Sequence, residues 1–477
     1  MSPFLLLMIP LLGAVACVSA SRRPDVARVL ALVAAGATAI VAAILLVTFA
    51  STLEPVVTPR LPGATGAMVA LLLDGISAPL VTLTALLGVT AVLVSWNVER
   101  RAGHLALLLT LEAAVIAVFL AADLVLFYVA WEAVLIPMFF LIGGWGHEDR
   151  RRAAMKFFVY TFAGSALMLT GIIVLVLATG GQSAMSAGAE LPMGTQQLVF
   201  WLLAAGLLVK VPVWPLHTWL PDAHVEAPTA GSVMLAGVLL KMGVYGFMRL
   251  CIPYAPAAFD LYAPLLGALG AVGIVYGAVM ALAQSDLKRL VAYSSVAHMG
   301  FVMLALASGT VLGLTGAMLG MVSHGLVAGI LFLLVGALHE RTGTRDIGAF
   351  GGLGHTMPGW SALFVAASLA SLGLPGLSGF PGEFAAVVSG FGAFGWPVAI
   401  AGVGVVLGGA YSLRAVRLVV HGQARESVCR RDLGVREYVA LVPLAALVIA
   451  LGIWPRLLAD VVAPAMEALH TILRAVG

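Results

Sequence analysis

The chain has 477 residues, of which 62% are hydrophobic and only 10% charged, with a formal net charge of +3. Soluble domains carry about 25% charged residues, so a mean hydropathy of +1.09 excludes a soluble enzyme and indicates a polytopic membrane protein, with lipid and not nucleic acid as its surroundings. Cys17, Cys251 and Cys429 lack any C-x-x-C spacing, which gives no sign of a metal site, a cluster or a disulfide framework.

Apolar runs fall near 2–19, 26–50, 73–97, 104–122, 124–144, 155–179, 197–220, 227–252, 261–284, 289–308, 312–338, 359–392, 396–420 and 438–458. At about 20 residues per span they predict an all-α fold of about fourteen transmembrane helices with no room for a domain outside the membrane. The run at 359–392 contains Pro375 and Pro381 and counts as one broken helix. The first run ends in Ala16–Cys17–Val18–Ser19–Ala20, which resembles a signal-peptide cleavage site. No basic residue precedes its apolar core, and Arg22 and Arg23 follow it, so it reads as a retained first helix with the N-terminus outside. That orientation makes the odd-numbered loops cytoplasmic, and these should carry the Lys and Arg. Nineteen of the 25 basic residues fall there, Lys288 and the 425–436 arginines among them; Arg60, Arg249, Arg456 and Arg474 fall on the other side. An even helix count then puts both termini outside. Lys210 and Lys241 remain, inside helices, and they are half of the chain's four lysines.

Lys210 lies in Leu208–Val209–Lys210–Val211–Pro212–Val213–Trp214–Pro215, where two prolines break a helix at about half its depth. A lysine at the bilayer centre costs about 3 kcal/mol on insertion scales, so an intramembrane lysine suggests function. Snorkelling is excluded, because about 13 helical residues, roughly 20 Å, separate it from the start of its span. Glu132 lies mid-helix in Trp131–Glu132–Ala133, Glu112 lies in the helix before, and Glu383 follows the second break in Phe380–Pro381–Gly382–Glu383. His298 and His324 occupy comparable depth. Such a row suits proton transfer: a carboxylate holds a neighbouring lysine charged while desolvation opposes this, so a small displacement switches it, and histidine titrates near neutral pH. Structural readings stand beside this one. Glu132 could simply pair with a lysine, the histidines could make interhelical hydrogen bonds, and Glu383 could sit near a surface. Asp222 and Glu226 read as structural carboxylates before Pro228, and the 425–436 arginines as orientation determinants.

Lys210 and Glu383 each adjoin a proline-broken helix, and Glu132 and His298 each lie two helices earlier. The spacing suggests two five-helix units of inverted orientation, a recurring transporter plan. The expected organisation is 1–103, three N-terminal helices; 104–253, the first unit; 254–420, the second; and 421–477, a loop and the last span.

Lys210 through Ser232, Leu235–Ala236–Gly237–Val238–Leu239–Leu240–Lys241–Met242–Gly243, and Asp286–Leu287–Lys288–Arg289 through Tyr293–Ser294–Ser295–Val296–Ala297–His298–Met299–Gly300 closely resemble the antiporter-like, proton-translocating membrane subunits of respiratory complex I. The resemblance covers nearly the whole chain. Glu383 places it with the branch that has glutamate where the sister subunits L and N carry lysine. The resemblance implies Glu132 and Lys210 as the charge pair of an intake half-channel, Lys241 as bridge, His298 and His324 as relays, Glu383 as terminal carboxylate, and Glu112 as a further site. It implies a translocase subunit of NADH:quinone oxidoreductase in a bacterial inner membrane, beside subunits L and N. NADH, FMN, iron–sulfur clusters and quinone would then belong to partner subunits, with no cofactor or metal in this chain. A subunit of a multisubunit cation/proton antiporter, the membrane arm of a hydrogenase or formate-linked complex, and a scaffold with purely structural charges remain open.

Overall fold

The computed structural model describes residues 2–58, 61–62, 68–99, 101–185, 191–423 and 431–476; Arg60, Arg100, Arg425, Cys429 and Arg430 lie outside these. Its helices, in order, are α1 (Leu5–Ser19), α2 (Pro24–Thr52), α3 (Ser77–Val94), α4 (Arg101–Leu120), α5 (Leu124–Ala133), α6 (Leu135–Trp145), α7 (Arg150–Ala178), α8 (Met193–Lys210) and α9 (Trp219–Glu226). There follow α10 (Thr229–Met234), α11 (Lys241–Gly246) and α12 (Ile252–Tyr254), joined by π-helical turns into one span, then α13 (Pro256–Leu282), α14 (Leu287–Ala307) and α15 (Val311–Thr342). After α16 (Leu353–Thr356) come α17 (Pro358–Ser371), α18 (Gly379–Phe394), α19 (Ala399–Val419), α20 (Val435–Ile453) and α21 (Arg456–Arg474).

Among the described residues, twelve helical segments are long and apolar enough to cross a membrane. The shorter α1 and the broken pair α17/α18 stand where the other two apolar runs lie. The extended 438–458 run divides at Trp454–Pro455: α20 ends at Ile453, and α21 is a separate helix with Leu458, Val462, Met466, Leu469 and Leu473 buried along one face. Continuous apolar runs mark spans and pass over a helix that is apolar on one face only, which its 3.6-residue periodicity would show.

The interruptions are written in the sequence. Pro137 cannot donate to the Ala133 carbonyl, and the span Leu124–Trp145 breaks at Val134, two residues past Glu132, which is therefore near a helix end and not mid-helix. Pro212 and Pro215 follow the end of α8 at Lys210. Between α17 and α18, Pro375 stops helical pairing while Gly373 and Gly376 take left-handed φ of 76° and 92°. Inside the bundle, α10–α12, α14 and α15 are almost wholly buried, whereas α2 exposes Val33, Ile40 and Val47, and α20 exposes Val439 and Ile449. Exposed apolar rows of this kind form the lipid-facing rim around a buried centre.

Two glycine contacts set the centre. A Cβ at Gly325 of α15 would lie 2.7 Å from the Gly237 carbonyl, so that span and α15 meet backbone to backbone. A Cβ at Gly382 would lie 2.8 Å from the Gly320 backbone, which brings α18 equally close to α15. Close approach through small residues is the usual way membrane helices pack. Here it puts the residues adjoining those glycines, His324 and Glu383, into the middle of the bundle.

Candidate functional site

The π-helical turn Leu235–Leu239 immediately precedes Lys241, and such turns recur at functional sites because they re-aim one side chain. Lys241 is buried; its Nζ donates to the Ala236 carbonyl and, at 2.7 Å, to Nδ1 of His324. The His324 ring lies 5.7 Å from that of His298 on α14, centre to centre. His298 Nδ1 donates to Glu383 Oε1 at 3.0 Å, while its Nε2 accepts from Ser371 Oγ at 2.9 Å and from the Tyr411 hydroxyl at 3.4 Å. Lys241, His324, His298 and Glu383, drawn from four helices, form one contiguous row.

A cavity of about 30 Å³ opens along it, lined by Ser294, His298, Ser323, His324, Ser371 and Glu383 among others. That exceeds the ~10–15 Å³ a water needs, and polar groups on several sides suit one. His324 Nε2 is buried with no hydrogen-bond partner, and His324 is part of the cavity wall. The row can pass a proton, because each imidazole can take one on one nitrogen and release one from the other.

Lys210 stands apart. It is 1% exposed, its Nζ has no hydrogen-bond partner, and it lies 5.4 Å from the Trp131 ring centre and 5.7 Å from that of Phe157. These faces supply a cation–π environment in place of a counter-ion. Glu132, next to Trp131, has Oε1 unpartnered, with Tyr128 beside it, which in turn neighbours Ser165. No ion pair closes between Glu132 and Lys210 within 4.0 Å among the described residues, so the two are neighbours in a shared field rather than a contact pair. Glu112 is buried with both carboxyl oxygens unpartnered, against Gly88 of α3, where a Cβ would come within 2.6 Å of its carboxyl.

A profile of the NADH:quinone oxidoreductase/Mrp antiporter membrane family matches residues 121–408, a segment that holds Glu132, Lys210, Lys241, His298, His324 and Glu383. The chain is 44% identical over 413 residues to NADH-quinone oxidoreductase subunit M of Rhodobacter capsulatus, covering 83% of this chain and 81% of that protein. The chain belongs to this family. Its fold matches a chain of respiratory complex I from Thermus thermophilus at TM-score 0.90 with 32% identity, covering 99% of this chain and all of the other. The Mrp complex of a Dietzia species matches at TM-score 0.88 with 21% identity, covering 100% of this chain and 99% of that one, a likeness of fold alone.

Set within the family fold, the sequence-predicted residues divide into the Lys241–His324–His298–Glu383 row, the Glu132–Lys210 neighbourhood and isolated Glu112. Glu383 is held by His298 and not at a surface. Lys288, taken from the sequence as a loop cation, is buried: its Nζ donates to the Ala227 carbonyl at 2.5 Å. It begins α14 where the chain folds against the end of α9, a tertiary contact that charge counting cannot see. Arg249 is likewise no loop residue, since it pairs with Asp74, both side chains being nearly buried. Asp222 ties α9 to α7 and α14 through Lys156 at 2.7 Å and Arg289 at 3.5 Å. Three further residues escaped the sequence reading. Ser371 and Tyr411 hold His298 but are ordinary types in apolar runs. His224 is fully buried, stacked on Phe332 with ring centres 4.5 Å apart, and both ring nitrogens are unpartnered. A histidine three residues past Pro221, close after a broken helix, was the available signal. Among the described residues no group of three or more His, Cys, Asp or Glu could hold a metal.

Proposed function

We propose that this chain carries protons across the membrane as the subunit-M-type member of an NADH:quinone oxidoreductase, along Lys241, His324, His298 and Glu383. The observation that carries the reading is the row through the bundle centre, hydrogen-bonded at Lys241–His324 and at His298–Glu383 with a water-sized cavity at the His324–His298 gap. Glu132 and Lys210 form the responsive end. Redox chemistry in partner subunits, which hold NADH, FMN, iron–sulfur clusters and quinone, alters the field at the Glu132–Lys210 neighbourhood. The change shifts the charge of Lys210 and then of Lys241, and Lys241 gives its proton to His324 Nδ1. His324 Nε2 passes one across the cavity to His298, and His298 protonates Glu383, which releases to the far side. Each imidazole gives up a proton as it takes one, and Lys241 is reprotonated from the side opposite Glu383 before the next cycle, so no charge accumulates.

Subunits L and N flank the chain in this reading, the membrane is the bacterial inner membrane, and both termini lie outside. Two inverted units, 104–253 and 254–420, each contribute one interrupted helix, at Lys210 and before Glu383. Glu112, buried without a partner beside α3, is a reserve site that takes a proton when its surroundings hydrate. The test is Lys210→Ala and Glu132→Ala in the intact complex, reconstituted in liposomes. Assembly with quinone reduction but pumping lost or severely reduced is the expected result; near-normal coupled pumping in both assembled variants would sink the reading.

A further inference from the structure

We propose that protons reach Lys241 by a histidine-lined intake of their own, opening on the arginine-rich face between the 146–149 loop and the end of α15, and not through the Glu132–Lys210 neighbourhood. This rests on the proton-carrying role of the Lys241–Glu383 row proposed above. An outer cavity of about 480 Å³ opens among Glu148, Glu226, Asp286, Thr344 and Asp346, with His147, His339 and Arg345 in its wall. The same three residues line a deeper cavity of about 140 Å³ whose lining includes His104, Thr229 and Lys288. Two cavities that share walls in this way form one stepped passage from the surface to Lys288.

The passage is built, not incidental. His147 and His339 meet edge to face with ring centres 5.2 Å apart at the step between the cavities, and Nδ1 of His339 is a buried, unpartnered atom. His104 is fully buried, hydrogen-bonded through Nε2 to Ser95 at 2.9 Å, with Nδ1 unpartnered in the deeper cavity's wall. His147, outside the spans, is held down to about 4 by its burial and then by Lys288 and Arg345. It stays neutral at physiological pH, with one ring nitrogen open to accept a proton. Beyond Lys288 stands His224, fully buried with both nitrogens free, within electrostatic reach of Lys288 on one side and Lys241 on the other. Lys288 is held by the Ala227 and Val225 carbonyls, which keeps its amine between the cavity and the His224 segment. Water-sized space therefore reaches Lys288, whose amine donates to the carbonyl of Val225, and the neighbouring unpartnered His224 imidazole stacks on Phe332 of α15, the helix that carries His324. Each imidazole accepts on one nitrogen and donates from the other.

The test uses the intact complex in liposomes, with proton pumping and NADH:quinone turnover read together. Thr344→Cys places a thiol at the outer mouth without removing any proton carrier; treatment with a bulky cationic methanethiosulfonate should then plug it. Unlabelled Thr344→Cys should pump like the parent, and the parent treated identically should be unaffected, while labelling lowers pumping about a hundredfold, the scale of losing a positioned proton carrier. His224→Gln, which keeps the bulk and polarity but carries no proton, should cause a similar loss. Full pumping in the labelled Thr344→Cys complex, or in assembled His224→Gln, overturns the inference. If His224→Gln does not assemble, the labelled mouth decides. Lys210→Ala run in parallel separates the two failures. Pumping lost there but kept in the intake variants rejects only the intake, whereas pumping kept in Lys210→Ala and in the intake variants rejects the proton-carrying reading with it.

Discussion

His298 has both ring nitrogens engaged, one giving to Glu383 and the other taking from Ser371 and Tyr411. Its ring orientation is thus fixed, and a relay whose orientation is set in advance loses little when a proton arrives. Tyr411→Phe removes only the longer of the two contacts to Nε2. Pumping in that variant should fall by a small factor, with most coupling retained, whereas His298→Leu should lower it about a hundredfold; equal losses in both, measured as proton uptake per NADH oxidised, would contradict the hierarchy. His147 yields a separate expectation. Its protonation in the unfolded chain occurs near 6.5 and in the folded chain only at about 4, so between those values the unfolded state binds more protons and stability falls as pH drops. His147→Asn should therefore lose less thermal stability than the parent between about pH 7.5 and about pH 5.5, and parallel pH curves for the two proteins would show the opposite. Single residues were legible in the sequence where their type was costly in a membrane: Lys210, Lys241, Glu132 and Glu383 stand out in any apolar run. Lys288 and His224 were not, because one begins a helix beside loop cations and the other follows the α8 break in a proline-flanked stretch that reads as a loop. Only the folded contacts reveal that both are buried.

At the scale of the helix, the breaks carry the design. Prolines at 212, 215 and 375 announced two interruptions; the third, between α5 and α6 ahead of Pro137, falls two residues past Glu132, which the sequence placed mid-helix. The π-helical turn before Lys241 had no such marker, since its residues Leu235–Leu239 are ordinary helix formers and only the register of hydrogen bonds differs. The close contact of Gly237 with Gly325 was equally hidden, because 88 positions separate the two in sequence. Gly325→Ala places a Cβ 2.7 Å from the Gly237 carbonyl and 2.6 Å from Leu83, and overpacking of this kind costs about 1–3 kcal/mol. Assembled complex on native gels should drop for Gly325→Ala. Gly36→Ala, where the added methyl meets nothing within 4 Å, is the matched control, and equal yields of the two would refute the packing argument.

Across the whole molecule, the fold reads as a lipid-facing rim enclosing a buried centre that holds the titratable row. Composition and the spacing of apolar runs made the all-helical bundle legible, while the separate α21, apolar on one face only, forms no continuous run to mark it. The far side from the arginine-rich loops is fastened by Arg249 and Asp74, whose carboxylate also accepts from the Ile76 and Ser77 amides. Removing one partner of a buried pair leaves the other charge stranded, at a cost of about 3–5 kcal/mol. Asp74→Asn should reduce assembly sharply, and Asp74→Asn with Arg249→Met should recover part of it; no recovery would mean that the charge is not what fastens this end. The central claim concerns the row itself, and Glu383→Gln tests it most directly, because the amide oxygen can still accept from His298 while the side chain can no longer carry a proton. In the purified, reconstituted complex the measurement is protons taken up into the vesicles per NADH oxidised. The account predicts an assembled complex that still reduces quinone with pumping lost or severely reduced, and an unchanged proton-to-electron ratio would contradict it.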